Sequence, residues 1–186
     1  MKKADRSLML AGLLIGTGAI YFIISLVIAE AVYPGYSVAN NTISDLGVGS
    51  SALIFNSSVI FLGALIILGS FFLQKGLRTQ LFPLLIFLTG IGAVGVGIFN
   101  ENYGAIHLLF ALITFLFAGL SAMYFGLTEK NIIKYPSLVL GAIDIVSLVL
   151  FAVGINLGLG HGGIERLIVY PTLLWAVLFS GNLLNK

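Results

Sequence analysis

Apolar residues dominate the chain in six long runs that are separated by short polar segments. The runs are Leu8–Ala29, Ala52–Leu73, Leu81–Phe99, Ala105–Leu127, Ser137–Leu157 and Leu167–Leu184. A helix crosses a bilayer core about 30 Å thick with about 20 apolar residues. The runs are continuous rather than alternating, which argues against a β-barrel. The pattern therefore predicts an all-α polytopic membrane protein, a bundle of six transmembrane helices.

Composition and domain organisation agree with this prediction. No polar segment is long enough for a separate domain, so residues 1–186 are expected to form one transmembrane domain. The chain is 59% hydrophobic and 9% charged, whereas a soluble domain has about 25% charged residues. The net charge of +2 gives no reason to expect nucleic acid as a partner, and membrane lipids are the expected partners. The absence of cysteine excludes disulfides, thiol nucleophiles and thiolate metal sites.

Basic residues predict the orientation of the bundle. They precede the first run, separate the second from the third and the fourth from the fifth, and follow the sixth: Lys2, Lys3, Arg6, Lys75, Arg78, Lys130, Lys134 and Lys186. Six crossings place them all on one side, which the positive-inside rule makes cytoplasmic. We therefore expect a multi-pass protein of the cell membrane with both termini in the cytoplasm. Arg166, the ninth basic residue, lies on the opposite side.

Polar side chains collect in the three connections on that opposite side. The longest connection, residues 33–51, is expected to fold over the bundle, and we call it the cap loop. Connections on one side of a six-helix bundle can converge at one mouth. The candidate site residues that they carry are Ser44, Asp45, Glu101, His107, Glu165 and Arg166.

These residue types predict both catalysis and ligand binding. His107 beside Asp45 or Glu101 fits general acid–base catalysis, and Ser44 is a candidate nucleophile if a base reaches it. Arg166 can hold a phosphate or carboxylate in a two-pronged grip, which suggests a small anionic ligand. The predicted ligand-binding set also includes Glu165, Asn56 and Tyr170.

Two further roles for the same residues stay open. Arg166 paired with Glu165, Asp45 or Glu101 would clamp the outer loops to the bundle without any catalysis. His107, Asp45 and Glu101 would be the ligands of a metal site, but two histidines and no cysteine make the chain ligand-poor for zinc. We therefore predict no metal site, and the sequence requires no cofactor.

Asp144 lies near the middle of the fifth run, with no basic residue at its depth. A carboxylate in hydrocarbon costs about 3 kcal/mol, so this group must be neutral, paired or facing water. It is either a proton or ion site, or a protonated Asp that hydrogen-bonds across helices with Ser147 nearby. No convincing repeat relates the first three runs to the last three, although many transporters contain one.

Several motifs resemble the DUF998 family of small, mainly archaeal and bacterial polytopic proteins without an assigned activity. These are ISDLG before the second run, Phe99 and Glu101 before His107, and GGIERLIVYPTLLW entering the sixth run. The resemblance covers nearly the whole chain and implies six helices and a shared outer site at the six candidate residues. ISDLG is also similar, more distantly, to the ISDTG stretch of the Frag1/DRAM/Sfk1-like six-span proteins. Some of those proteins are linked to lipid remodelling or lipid traffic.

We therefore expect an integral membrane protein with a polar pocket on the extracytoplasmic side, which binds or modifies a lipid headgroup or another small anionic molecule. If the pocket is catalytic, the protein is a membrane-embedded lipid-modifying enzyme or hydrolase. One alternative is a small transporter or channel that uses Asp144. The other is a non-catalytic membrane scaffold in which the outer charges form structural ion pairs.

Overall fold

The computed structural model describes residues 3–185, which form six α-helices and no strands. The helices are α1 (Lys3–Val32), α2 (Ala52–Gly76), α3 (Leu81–Ile98), α4 (Ala105–Thr128), α5 (Lys134–Ala152) and α6 (Gly160–Leu184). All six are long and apolar enough to cross a membrane. The predicted all-α fold with six spans is therefore confirmed. Lys2 and Lys186, used above for the orientation, lie outside the described residues.

The helix boundaries differ from the predicted spans at the connection between the last two helices. α5 ends at Ala152 rather than Leu157, because Gly154, Leu157 and Gly158 have φ angles of 77°, 53° and 79°, which an α-helix cannot contain. α6 begins at Gly160 rather than Leu167. An apolar run in the sequence ends where charged side chains begin, whereas the α6 helix includes those charged residues. The polar stretch before residue 167 is thus helix and not loop.

Consecutive helices pack side by side, and α6 returns to α1, so the bundle is a closed ring. α4 and α6 touch each other only weakly, and α5 packs against both of them. One half of the interior is filled by aromatic rings, with Phe179 at 5.1–5.4 Å from its neighbours. This aromatic plug consists of Phe82, Phe125, Trp175 and Phe179. The other half carries the cap loop, and we call its end the cap end.

The cap loop folds over one end of the ring and packs against the start of α6. Ile43 and Leu46 of the loop are buried, and the Gly162 N–H donates to the Ala39 carbonyl at 3.0 Å. A Cβ on Gly162 would overlap the carbonyl oxygen of Asn41. The loop backbone therefore sits directly on the glycine face of the first helical turn, and this contact brings the loop side chains to α6.

Candidate functional site

Ser44, His107 and Glu165 form one hydrogen-bonded group beneath the cap loop. His107 Nε2 lies 3.1 Å from Ser44 Oγ, and Ser44 Oγ lies 2.9 Å from Glu165 Oε1. The other ring nitrogen, His107 Nδ1, lies 2.8 Å from the Phe99 carbonyl oxygen. The Ile43 N–H donates to Glu165 Oε2. His107 and Glu165 are buried and Ser44 is half-buried, so the three side chains interact with little competition from water.

The hydrogen bonds of this group fix how many protons it holds. The Phe99 carbonyl only accepts, so we place a proton on His107 Nδ1. The single hydroxyl proton of Ser44 then has two acceptors, the free Nε2 and an ionised Glu165. With one more proton, either on Glu165 or on His107 Nε2, both contacts of Ser44 Oγ have one donor and one acceptor. With that proton on Glu165, Ser44 donates to His107, which is the arrangement of a nucleophile and its general base.

An elongated internal cavity begins at this group and runs between the helices. Its volume is about 60 Å³, and Ser44 and Glu165 lie at its cap end. Its walls are mainly apolar and include Phe22, Phe55, Leu62, Val96, Phe115 and Leu173. His107 lies behind Ser44 and is not among the lining residues. Ser44 therefore lies at the edge of a small cavity with almost entirely apolar walls.

Asp45 and Glu101 form a carboxyl pair beside this group. Burial raises the pKa of Asp45, but hydrogen bonds from Asn41, Glu101 and Thr42 outweigh it and leave that pKa below its usual value. Burial, the hydrogen bond to Asp45 and its negative charge raise the pKa of Glu101 to about 7. Both ring nitrogens of His107 are directed elsewhere, so neither carboxyl is its partner, contrary to the predicted pairing.

Arg166 joins the cap loop to α1 and α6. Its Nη2 donates to Glu30 Oε1 at 2.7 Å and to the Tyr36 hydroxyl at 2.6 Å. Burial raises the pKa of Tyr36 to about 12, so this hydroxyl keeps the proton that it donates to the Thr42 carbonyl at 3.0 Å. Nη1 donates to the carbonyl oxygens of Val38, Asn41 and Gly162 at 2.9, 3.2 and 2.9 Å.

This geometry favours the clamp over the anion site. Only Nε of Arg166 lacks an acceptor, and it is buried, so no pair of N–H groups faces a ligand. The ionic partner is Glu30, and not Glu165, Asp45 or Glu101 as predicted. Helices advance about 100° per residue. Consecutive residues of α6 therefore point in different directions, and Glu165 reaches Ser44 while Arg166 reaches Glu30.

The other two predicted ligand contacts lie outside the cavity. Asn56 Nδ2 donates to the Gly47 carbonyl at 2.9 Å and secures the short 3₁₀ turn Ser44–Gly47. Tyr170 is 41% exposed on the outside of the bundle. Neither residue lines the cavity. Within residues 3–185, no group of three or more His, Asp or Glu side chains is arranged to hold a metal ion.

Asp144 forms a contact between helices in the middle of the bundle. It is buried on α5, and its Oδ2 lies 2.9 Å from Thr172 Oγ1 of α6. Thr172 Oγ1 also lies 3.0 Å from the Ile168 carbonyl. A neutral Asp144 donates to Thr172, which in turn donates to that carbonyl, so a protonated carboxyl satisfies this chain. The cross-helix partner is Thr172 rather than Ser147.

Sequence reasoning missed three partners of the predicted residues. The Phe99 carbonyl is a backbone group, for which the side-chain pattern carries no signal. Glu30 does carry a signal, because it is an acid at the end of the first run on the same side as Arg166. Thr172 lies in an apolar run, one turn from Ile168, and nothing distinguishes it from a packing threonine.

Comparisons with known proteins identify the family but no activity. No curated protein and no solved structure matches the chain. The sequence model of a family described as "Protein of unknown function (DUF998)" matches residues 16–181. That match covers nearly the whole transmembrane bundle and includes all three residues of the Ser44–His107–Glu165 group. The chain therefore belongs to the DUF998 family.

Proposed function

We propose that this DUF998 protein is a membrane-embedded enzyme that cleaves or transfers the acyl group of a lipid ester. One observation carries the proposal: the hydroxyl of Ser44 is hydrogen-bonded to a buried imidazole, and Ser44 lies at the cap end of an apolar cavity. Ser44 is the nucleophile and His107 its general base. The lipid ester lies at Ser44, and the lipid headgroup lies toward the cap loop.

The proposed reaction has two balanced steps. Ser44 Oγ attacks the ester carbonyl while His107 Nε2 takes the hydroxyl proton. The intermediate collapses to acyl-Ser44, and the imidazolium returns the proton to the leaving alcohol. Water or an acceptor alcohol then attacks the acyl group, His107 again takes a proton, and Ser44 receives it as the acyl group leaves. The Phe99 carbonyl stabilises the imidazolium through Nδ1–H.

Glu165 has a separate part in this proposal. In its protonated state it leaves the Ser44 proton directed at His107, which is the reactive arrangement. Its own O–H then lies beside the oxygen where the reaction takes place. A neutral carboxylic acid in such a position can donate to a developing oxyanion. Arg166 belongs to the clamp, so the proposal requires no anionic headgroup.

The test is labelling of the purified protein with an alkyl fluorophosphonate, which forms a covalent adduct with activated serines. We expect an adduct on Ser44 by mass spectrometry, none in Ser44→Ala, and labelling slowed about a hundredfold or more in His107→Gln. Ser50→Ala is the matched control, because Ser50 lies in the same loop, is exposed and donates only to the Val32 carbonyl. Equal labelling of wild type and Ser44→Ala would reject the enzyme. The non-catalytic scaffold would then be favoured.

A second candidate function, proton-coupled transport, is supported by a different observation. Asp144 Oδ1 is buried without a hydrogen-bond partner, and its neighbour Thr172 lines the cavity. A proton on Asp144 would thus lie next to a path toward Glu165. Proton flux into proteoliposomes that Asp144→Asn abolishes and Ser44→Ala leaves intact would favour transport over the enzyme.

We also propose that the cap end faces the extracytoplasmic side of the cell membrane. The proposal is supported by basic residues at the opposite end of the bundle, near the start of α1 and in the α2–α3 and α4–α5 connections. Those within the described residues are Lys3, Arg6, Lys75, Arg78, Lys130 and Lys134. Basic residues concentrate on the cytoplasmic side of membrane proteins, so the Ser44–His107–Glu165 group would act on the outer leaflet.

A further inference from the structure

An open groove lies on the outside of the bundle at its basic end, the end opposite the cap loop. It has a volume of about 300 Å³ and lies between the last turns of α2 and the first turns of α3. We call it the basic-end groove. It shares no lining residue with the small internal cavity, so it is separate from the Ser44–His107–Glu165 group.

The basic-end groove has a floor of small side chains and walls of large ones. Its lining residues Ser70 and Pro83 are buried and form the floor. The Ser70 hydroxyl donates to a carbonyl of the preceding turn at 2.6 Å, so its proton is not free for a ligand. The walls include Phe71 and Leu84, each about half exposed, and Phe71 packs edge-to-face on Phe87 at 5.9 Å between ring centroids.

The dimensions of the groove indicate what it can hold. Its lining on α3 runs from Gln80 to Phe87, which is about two helical turns. A transmembrane helix of a partner protein would need a contact surface several turns long. A single hydrocarbon chain is much thinner than a helix, and part of it fits in a short trench with apolar walls. The groove therefore favours a lipid over a partner helix.

The groove becomes polar where the two helices end. Gln74 and Gln80 line this part, and Gln74 Nε2 donates to Gln80 Oε1 at 2.8 Å. Lys75 follows Gln74 on α2, and Arg78 lies in the connection to α3; both are exposed. Residues 70–87 contain no Asp or Glu. Positive charge is thus placed at the end of the groove that is farthest from the membrane centre.

We propose that the basic-end groove binds an anionic phospholipid of the surrounding leaflet. One acyl chain lies in the trench against Phe71 and Phe87, and the phosphate lies at the glutamine end beside Lys75 and Arg78. The groove presents apolar walls toward the membrane centre and charge at its surface, in the order of the groups in a phospholipid. Basic residues between transmembrane helices attract anionic headgroups in this way. The inference does not depend on the role of Ser44.

Two double variants test the part played by charge. Lys75→Gln/Arg78→Gln removes two positive charges beside the groove. Lys130→Gln/Lys134→Gln is the matched control, because it removes two positive charges from the same end of the bundle, at the α4–α5 connection. The first variant should lose the preference for an anionic lipid, and the second should keep it.

Two serine variants test the trench. Ser70→Leu fills the floor of the groove without any change of charge. Ser57→Leu is the matched control, because Ser57 lies on the same helix and is exposed outside the groove. Ser70→Leu should weaken the binding of any phospholipid in the trench, and Ser57→Leu should not. The charge variants leave the trench intact, so the proposal stays testable if Ser70→Leu does not fold.

The experiment is native mass spectrometry of the purified protein with added dioleoyl phosphatidylglycerol or dioleoyl phosphatidylcholine, which have the same acyl chains. The readout is the dissociation constant of the first bound lipid. Each basic side chain near a headgroup contributes about fivefold in affinity, so we expect phosphatidylglycerol to bind about 25-fold more tightly. That ratio should fall to about one in Lys75→Gln/Arg78→Gln and stay unchanged in Lys130→Gln/Lys134→Gln.

Three results would overturn the proposal. The first is equal affinity of the wild type for the two lipids. The second is an equal loss of preference in both double variants, because the charge of the whole basic end would then attract the lipid. The third is unchanged binding by Ser70→Leu, which would place the acyl chain outside the trench. None of these results affects the labelling of Ser44, so the enzyme and the lipid site stand or fall separately.

Discussion

Two neighbouring residues on α6 have different partners at the cap end. Glu165 turns toward Ser44 and shares a proton with the candidate catalytic group. Arg166 turns toward Glu30 and the loop carbonyls and holds the cap loop in place. The clamp thus holds the loop that carries Ser44. A purely structural arginine can support a reaction in this way without touching the substrate.

The clamp predicts a large loss of stability when Arg166 is removed. Arg166→Ala leaves Glu30 and the carbonyl groups of Val38, Asn41 and Gly162 without their donor. Breaking a fully buried ion pair costs about 3–5 kcal/mol, and the Glu30 side chain is 23% exposed. The free energy of unfolding in a fixed detergent should therefore fall by up to that amount. Arg78→Ala removes an exposed arginine and should change it by less than about 0.5 kcal/mol. Equal effects of the two variants would contradict the clamp.

The Asp45–Glu101 pair predicts a pH dependence of stability. The pKa of Glu101 is about 7 in the folded protein, above the usual value of 4.5. The folded state therefore binds more protons than the unfolded state between these values, and its stability falls as the pH rises from 4.5 to 7. Glu101→Gln keeps a donor for Asp45 and adds no charge. It should remove this fall and stabilise the protein above pH 7.

Solvent screening limits the Glu101 effect, because the side chain is partly exposed; we expect about 1 kcal/mol or less. The measurement is the thermal unfolding midpoint of wild type and Glu101→Gln across that pH range. Asp45 has the opposite effect on the pH dependence. Because its pKa is lowered in the folded protein, its ionised carboxylate stabilises the fold at neutral pH, and this stabilisation is lost on acidification. If the unfolding midpoints of wild type and Glu101→Gln changed in parallel with pH, a raised pKa of Glu101 would be excluded.

Residue types could be predicted here, but their pairing could not. Ser44, His107 and Glu165 stood out as polar groups in connections of one side, and the structure brings them together. Which of them touch depends on the rotation of each helix about its own axis. The six apolar runs do not predict that rotation, because a membrane helix that is apolar on every side can place any of its faces against lipid. The Glu30 partner of Arg166 was missed for this reason.

The cap loop and the first turn of α6 act as one element. Gly160 and Gly162 leave room for the loop backbone, whose Ala39 and Asn41 carbonyl oxygens lie where a Cβ would be. Periodicity predicted the six helices correctly but placed this turn in a loop, because glycines and charges interrupt the apolar pattern. Glu165 and Arg166 follow this turn directly, and both find partners that are distant in sequence.

Gly162→Ala should detach the cap loop. The added methyl group overlaps the Asn41 and Val38 carbonyl oxygens, so the loop must move and the Arg166 clamp must loosen. We expect faster hydrogen exchange in residues 37–43 and slower fluorophosphonate labelling of Ser44. Gly181→Ala is the control on the same helix, because nothing lies within 4 Å of its added Cβ. Similar exchange in both variants would show that the loop does not depend on this contact.

The whole molecule is a ring with two different ends. Its interior is filled with aromatic rings toward the basic end and contains a small apolar cavity toward the cap end. The Ser44–His107–Glu165 group, the carboxyl pair and the clamp all lie at the cap end. The proposed enzyme would therefore act at one surface of the membrane only, and the orientation of the ring decides which leaflet supplies its substrate.

The chain contains no cysteine, so single cysteines can report that orientation without background. Asn102 is exposed at the cap end and Asn131 at the basic end. If the basic end is cytoplasmic, a membrane-impermeant maleimide should label Asn102→Cys in intact cells and Asn131→Cys only after permeabilisation. The reverse pattern would place the Ser44–His107–Glu165 group in the cytoplasm. Its substrate would then have to come from the inner leaflet.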